Sequence, residues 1–281
     1  MLTILKLLRV QQWYKNLVIF LPLLFLGKFF DFSVWQGLVL GFFSLSLVSS
    51  FNYIINDLVD KKKDQLHPEK KERPIASGKI KSFWALLIGI LVLGSGLYLA
   101  YTLSLAFFFV VLALFILSQL YSFFFKNMVF VDILAIAVNF VLRAISGTFI
   151  LHVIISPWLI LCTFFLSLFL SVAKRKADLH FLQEHAVKHR ATLLGYTEQI
   201  TNALLIIATV ALLMAYSLYS LLSNYHWLLL SLPFALYTIF RYLSFVYNND
   251  ALVRNPEKVF KDWKMDIAIL LWISVVLLVT L

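Results

Sequence analysis

Hydrophobic residues fill this chain in long, nearly uninterrupted runs, and the polar residues collect between them. A helix crossing about 30 Å of hydrocarbon needs about 20 apolar residues, and fewer where flanking side chains snorkel. Nine runs qualify on these terms, at about 16–30, 34–57, 83–101, 104–124, 129–150, 157–173, 199–222, 226–246 and 266–281. Ser156-Pro157 reads as a helix start, a capping serine before a proline at the first helical position. The pattern predicts an all-α membrane bundle of about nine transmembrane helices, a single domain covering residues 1–281.

Composition agrees: 62% of the 281 residues are hydrophobic, 14% are charged and the mean hydropathy is +0.91. Such values exclude an ordinary soluble domain. With the N-terminus placed in the cytoplasm, 22 of the 24 Lys and Arg residues fall on the cytoplasmic side; Lys28 lies outside and Arg143 within a run. This is the positive-inside distribution, and an odd number of spans then puts Leu281 outside. The net charge of +10 is therefore a topological signal, aided by attraction to anionic headgroups, and no nucleic-acid partner is expected. No cleaved leader is expected either, since Lys6, Arg9 and Lys15 punctuate an amphipathic lead-in. The single cysteine, Cys162, allows no intrachain disulfide.

Long charged loops are expected on the cytoplasmic side at about 61–82, 174–198 and 247–265, whereas the outer connections are short and nearly uncharged. Chemistry therefore belongs to the cytoplasmic face. The second run ends in Asn56-Asp57-Leu58-Val59-Asp60-Lys61-Lys62-Lys63-Asp64. On a helix Asp57, Asp60 and Asp64 share an arc of ~60°, with Asn56 at its edge. Carboxylates crowded on one face call for a bridging cation. Mg²⁺ suits them, being a hard ion that completes its shell with water and phosphate oxygens. A solvated helix end is the plain alternative. Farther on, Asp132, Asn139 and Arg143 keep within ~40° on a helix. Arg143 sits mid-run, where an arginine costs about 3 kcal/mol by insertion scales. It either binds a lipid or sugar phosphate or neutralises a structural acid.

N-D-x-x-D-x-x-x-D followed by Arg73-Pro74-Ile75-Ala76-Ser77-Gly78 resembles the first signature of the UbiA superfamily of intramembrane prenyltransferases. That resemblance implies nine helices and a diphosphate held through Mg²⁺ by Asp57, Asp60 and Asp64, with Asn56 alongside. Further stretches resemble the superfamily branch that transfers phosphoribose from phosphoribosyl diphosphate (PRPP) to a polyprenyl phosphate. They are Leu8 to Asn16, containing Lys15; Leu120-Tyr121-Ser122 with Lys126; and Val141 to Gly147, containing Arg143. The branch implies a multi-pass protein of the bacterial cytoplasmic membrane among membrane lipids, its site facing the cytoplasm. Aromatic prenyltransferases of the superfamily carry a second D-x-x-x-D in the next long loop. Here that stretch is Lys174-Arg175-Lys176-Ala177-Asp178, so only Asp178 matches. Arg73, Lys174 and Arg175 are then expected to neutralise phosphate, although K-R-K is also an ordinary stop-transfer flank. Without the resemblance, Lys15, Tyr121 and Lys126 are interfacial anchors.

Two other functions stay open at this level. One is a prenyltransferase with a polyprenyl diphosphate donor and an aromatic or other small acceptor. The other is a lipid or anion transporter with Arg143 lining a path, but Pro22 and Pro233 are too isolated to break paired helices.

Overall fold

The computed structural model describes residues 2–66, 70–182, 195–248, 251–254 and 262–281. Parts of the three expected loops, with His67, fall outside these ranges. Every regular element among the described residues is helical. In chain order the α-helices are α1 (Leu2–Leu7), α2 (Leu21–Phe25), α3 (Trp35–Val59), α4 (Lys61–Leu66), α5 (Ser82–Leu103) and α6 (Leu105–Phe123). There follow α7 (Val131–Leu151), α8 (Pro157–Leu182), α9 (Glu198–Leu222), α10 (Leu232–Tyr247), α11 (Ala251–Arg254) and α12 (Trp263–Thr280).

Among the described residues, eight helices are long and apolar enough to cross a membrane: α3, α5, α6, α7, α8, α9, Trp227–Tyr247 and α12. The ninth expected span, 16–30, is not one continuous helix. Val10–Phe20 forms a 3₁₀ helix, α2 has only five residues, and Gly27 then turns into the left-handed region at φ 64°. Pro22, without an N–H, starts a new helix more readily than it continues one. Helix α8, by contrast, runs to Leu182, past the expected loop start at 174, because Lys174-Arg175-Lys176-Ala177 contains no helix breaker.

The chain divides into two compact units: Met1–Leu21, Asp31–Phe123 and Leu142–Ile154 in the first, and Pro22–Phe30, Phe124–Val141 and Ile155–Leu281 in the second. In the first unit α3 is the buried axis, with Leu38, Leu45, Val48 and Ile54 wholly inside. Helix α5 approaches it closely at Gly96, where Ser44 Oγ donates to the Gly96 carbonyl at 2.8 Å. A Cβ on Gly96 would lie 2.9 Å from Val48. Small residues bring membrane helices together in this way.

An 11-residue 3₁₀ helix is unusually long. Its three-residue turn aligns Trp13, Asn16 and Ile19 in one column. Trp13 Nε1 donates to Ser50 Oγ and Asn16 Nδ2 to Ser46 Oγ, each at 3.0 Å. Three 3₁₀ residues and four α residues both rise about 6 Å, so the two columns stay in register. Buried polar pairs in lipid reward that match.

The second unit is built on Phe169, Val172, Ala173, Leu205, Ala208 and Val246, from α8, α9 and α10. Asp262 caps α12, accepting from the Met265 N–H at 2.8 Å and from Arg241 Nη2 at 2.7 Å. The Arg241 bond holds the Asp262 carboxyl below its ordinary range.

Candidate active site

The acids at the end of α3 meet arginines. Asp60 caps α3, donating its N–H to the Asn56 carbonyl at 2.9 Å, and the Asp64 N–H reaches the Asp60 carbonyl at 2.8 Å. The helical path therefore carries into α4 and keeps Asp57 and Asp64 together. Both are buried, at 2% and 3% exposure, whereas Asp60 is half-buried. Arg73 Nη1 donates to Asp57 Oδ1 at 3.0 Å and to Asp64 Oδ2 at 2.5 Å.

The Arg73 loop is fastened by its own sequence. Ile75 is wholly buried against Leu7, Ile54 and Ala85. The Ile80 N–H returns to the Pro74 carbonyl at 3.0 Å, and Gly78 takes φ 76° to make the turn. Arg9 arrives from the other direction in a left-handed conformation, φ 49°, which costs a non-glycine residue roughly 1–3 kcal/mol. Its guanidinium bonds Asp57 Oδ1 and lies 5.0 Å from the centre of the Tyr53 ring.

The donors fit Mg²⁺ by chemistry, since Asp57, Asp60, Asp64 and Asn56 offer hard oxygens on successive turns. In this structure guanidinium groups neutralise Asp57 and Asp64. Among the described residues no three Asp, Glu, His or Cys side chains converge tightly enough to hold a metal.

One turn back along α3 stands Tyr53, whose phenol lies in the field of Lys15, Arg143 and Arg9. Arg143, only 7% exposed, donates from Nε to Asn16 Oδ1 at 2.8 Å. The Leu8 to Asn16 stretch and Arg143, far apart in sequence, thus belong to one cluster. Tyr121 lies on α6 of the same unit.

The other expected residues lie in the second unit. Asp132, with no exposure, accepts from Arg175 Nε at 2.9 Å and from the Tyr196 hydroxyl at 2.6 Å. Tyr196 also accepts the N–H of Phe130, which sits at φ 67°. Burial, and the Asp132 carboxylate after it, pushes the Tyr196 phenol far above its ordinary range, so it stays a donor. Asp178 lies 3.6 Å from Arg175 Nη1 and 3.7 Å from Arg254 Nε. Lys174 is exposed and Lys126 buried, while Lys176 bonds Asn202 at 2.6 Å with its ammonium 3.7 Å from the Tyr247 ring centre. The sequence reading passed over Arg9, Tyr53, Tyr196 and Arg254 as site residues. In the sequence Arg9 reads as a topological charge and as part of the Leu8 to Asn16 stretch, and the tyrosines carry no signal beyond their aromatic character.

Comparison with known proteins places these clusters in context. The sequence model of the UbiA prenyltransferase family matches residues 16–264. This chain belongs to that family. It is a multi-pass integral membrane protein. A UbiA homolog from Archaeoglobus fulgidus, bound to GPP and Mg²⁺, shares its fold with a TM-score of 0.73 at 22% identity, covering 99% of each chain. Among curated UbiA-like relatives, the decaprenyl-phosphate phosphoribosyltransferase of Mycobacterium tuberculosis is 29% identical over 97% of this chain and 92% of its own. The protein of the same name from Corynebacterium glutamicum is 28% identical over 95% of this chain and 83% of its own.

Proposed function

We propose that this UbiA-family protein is a Mg²⁺-dependent transferase that moves 5-phosphoribose from PRPP to a polyprenyl phosphate and releases pyrophosphate. It would work at the cytoplasmic face of a bacterial inner membrane. The reading rests on the acid–arginine cluster, where carboxylates suited to a metal and guanidiniums suited to phosphate share one patch around Asp57, Asp64, Arg9 and Arg73. The phosphoribosyltransferase relatives, which align over nearly the whole chain, support it.

Asp57, Asp60 and Asp64 would hold Mg²⁺, with Asn56 beside them, and the bound ion supplies charge neutralisation on the departing pyrophosphate. Arg73 spends Nη1 on the two aspartates; its other N–H groups are directed to donor phosphate oxygens. Lys174, exposed on α8, is assigned to phosphate for its charge. The bond from ribose C1 to the diphosphate oxygen breaks, leaving an oxocarbenium-like carbon. An oxygen of the lipid phosphate bonds to that carbon. This nucleophile is already an anion, so the step needs no strong general base.

The deciding experiment supplies membranes containing the protein with Mg²⁺, PRPP labelled in its ribose, and a polyprenyl phosphate. Label is expected in the organic phase, matched by pyrophosphate release. The archaeal homolog of this fold binds GPP and Mg²⁺, which favours a prenyl diphosphate donor as the second reading. Label retained in water while polyprenyl diphosphate is consumed would assign that reaction instead.

A further inference from the structure

Helix α3 carries a neutral polar stripe that the acid–arginine cluster does not use. Ser49, Asn52 and Asn56 fall within ~60° of one another on a helix. Asn56 adjoins Asp57 near the C-terminal end of α3; Asn52 lies one turn back, and Ser49 about 10 Å back along the axis. Ser49 is 4% exposed and Asn52 8%. The other buried serines of α3 are occupied. Ser44 donates to the Gly96 carbonyl, Ser46 accepts from Asn16, and Ser50 donates to the carbonyls of Ser46 and Leu8. Ser49 Oγ has no hydrogen-bond partner among the described residues, and so does not take the carbonyl four residues back that helical serines commonly bond. Asn52 is half engaged. Gln119 of α6 bonds one end of its carboxamide, and the other end has no partner among the described residues.

Two unmet polar groups within a membrane-spanning helix are costly, because lipid tails complete neither. Adhesion between helices accounts for the Gln119 bond; it does not account for the open end of Asn52 or for Ser49. Both groups are neutral, so they do not balance a phosphate's charge as guanidinium groups do. An isoprenoid chain laid against them would leave both unmet. A hydroxyl donates and accepts, so it completes a serine and either end of a carboxamide.

We propose that Asn52, held by Gln119, and Ser49 receive the ring hydroxyls of the sugar donor and select for them. Naming a sugar rests on the phosphoribosyl reading. With the diphosphate held at Asp57 and its neighbours, the ribose joined to it takes the next turns of α3, where the side chains are polar and uncharged.

The full chain in lipid nanodiscs, with Mg²⁺ and a polyprenyl phosphate, is given PRPP and its 2-deoxy and 3-deoxy analogues in turn. The readout is the ratio of kcat/KM for PRPP to that for each analogue, which does not depend on how much of a variant is folded. Wild type should prefer PRPP over at least one analogue by roughly a hundredfold or more, since a site built to bond a hydroxyl rejects the substrate that lacks it. Asn52→Leu should cut that ratio by roughly tenfold, through a lower kcat/KM for PRPP. Ser49→Ala, a change too small to unsettle the packing, should cut it several-fold, and Ser49→Thr, which keeps the hydroxyl, should restore it. A wild-type ratio near unity for both analogues would overturn the hydroxyl site and leave the phosphoribosyl reading standing. So would ratios that stay at the wild-type value in both Asn52→Leu and Ser49→Ala, which would make Asn52 and Gln119 a helix contact only. No label transfer from PRPP by the wild-type chain would overturn both.

Discussion

Asp57 and Asp60 stand three residues apart and have different surroundings, so their substitutions should separate. Asp57 is buried and faces two guanidiniums. Asp57→Asn strands that positive charge and should cost of the order of 3 kcal/mol, lowering the melting temperature of the metal-free protein as well as abolishing turnover. Asp60 is only half-buried. Asp60→Asn should lower melting less than Asp57→Asn does, while turnover falls and the Mg²⁺ needed for half-activity rises. Equal melting of the two variants would contradict this assignment. The meeting of Asp57 and Asp64 at Arg73 was legible on the acid side, because seven residues return a helix to the same face. Their arginine partners were not, because Arg9 and Arg73 reach Asp57 across 48 and 16 residues.

At the scale of elements, close approach is the controlling feature. A Cβ on Gly147 of α7 would lie 2.2 Å from the Ile19 carbonyl oxygen of the 3₁₀ helix, whereas one on Gly94 of α5 would meet nothing within 4 Å. Gly147→Ala should therefore destabilise by about 1–3 kcal/mol, and Gly94→Ala should stabilise by about 0.5–1 kcal/mol through helix propensity. Thermal unfolding in one detergent compares them directly. The α12 cap gives a pH test. Asp262 has a depressed folded-state pKa, so its pair with Arg241 contributes stability above the ordinary carboxylate pKa and loses it as pH falls through the folded value. Asp262→Asn keeps a good capping side chain. Its melting deficit should be full near neutrality and vanish in acid; a deficit that grew in acid would refute the pairing.

For the whole molecule the charge distribution predicts topology. After Cys162→Ala, a cysteine introduced at Gln65 should react with an impermeant thiol reagent from the cytoplasmic side only. A cysteine at Asn224 should react from the opposite side only. Labelling of both from one face would show an error in the spans assigned between them. The interrupted 16–30 segment makes this informative, because the side on which the N-terminus lies depends on how often the chain crosses before Trp35.

Hydropathy by itself determined the membrane setting, the helical class and most of the span positions, because lipid forces any crossing backbone to satisfy its own hydrogen bonds. Local spacing likewise determined that Asp57 and Asp64 come to one face. Only tertiary structure decided that Val10–Phe20 winds as a 3₁₀ helix, since what favours it is the match with Ser46 and Ser50 on another helix. Tertiary structure also decided the fate of each charge. Arg175 and its neighbour Lys174 read alike in the chain, yet one turns inward to Asp132 and the other stays exposed. A charge in a sequence carries only its sign, and its partner is chosen by which helix faces packing brings together.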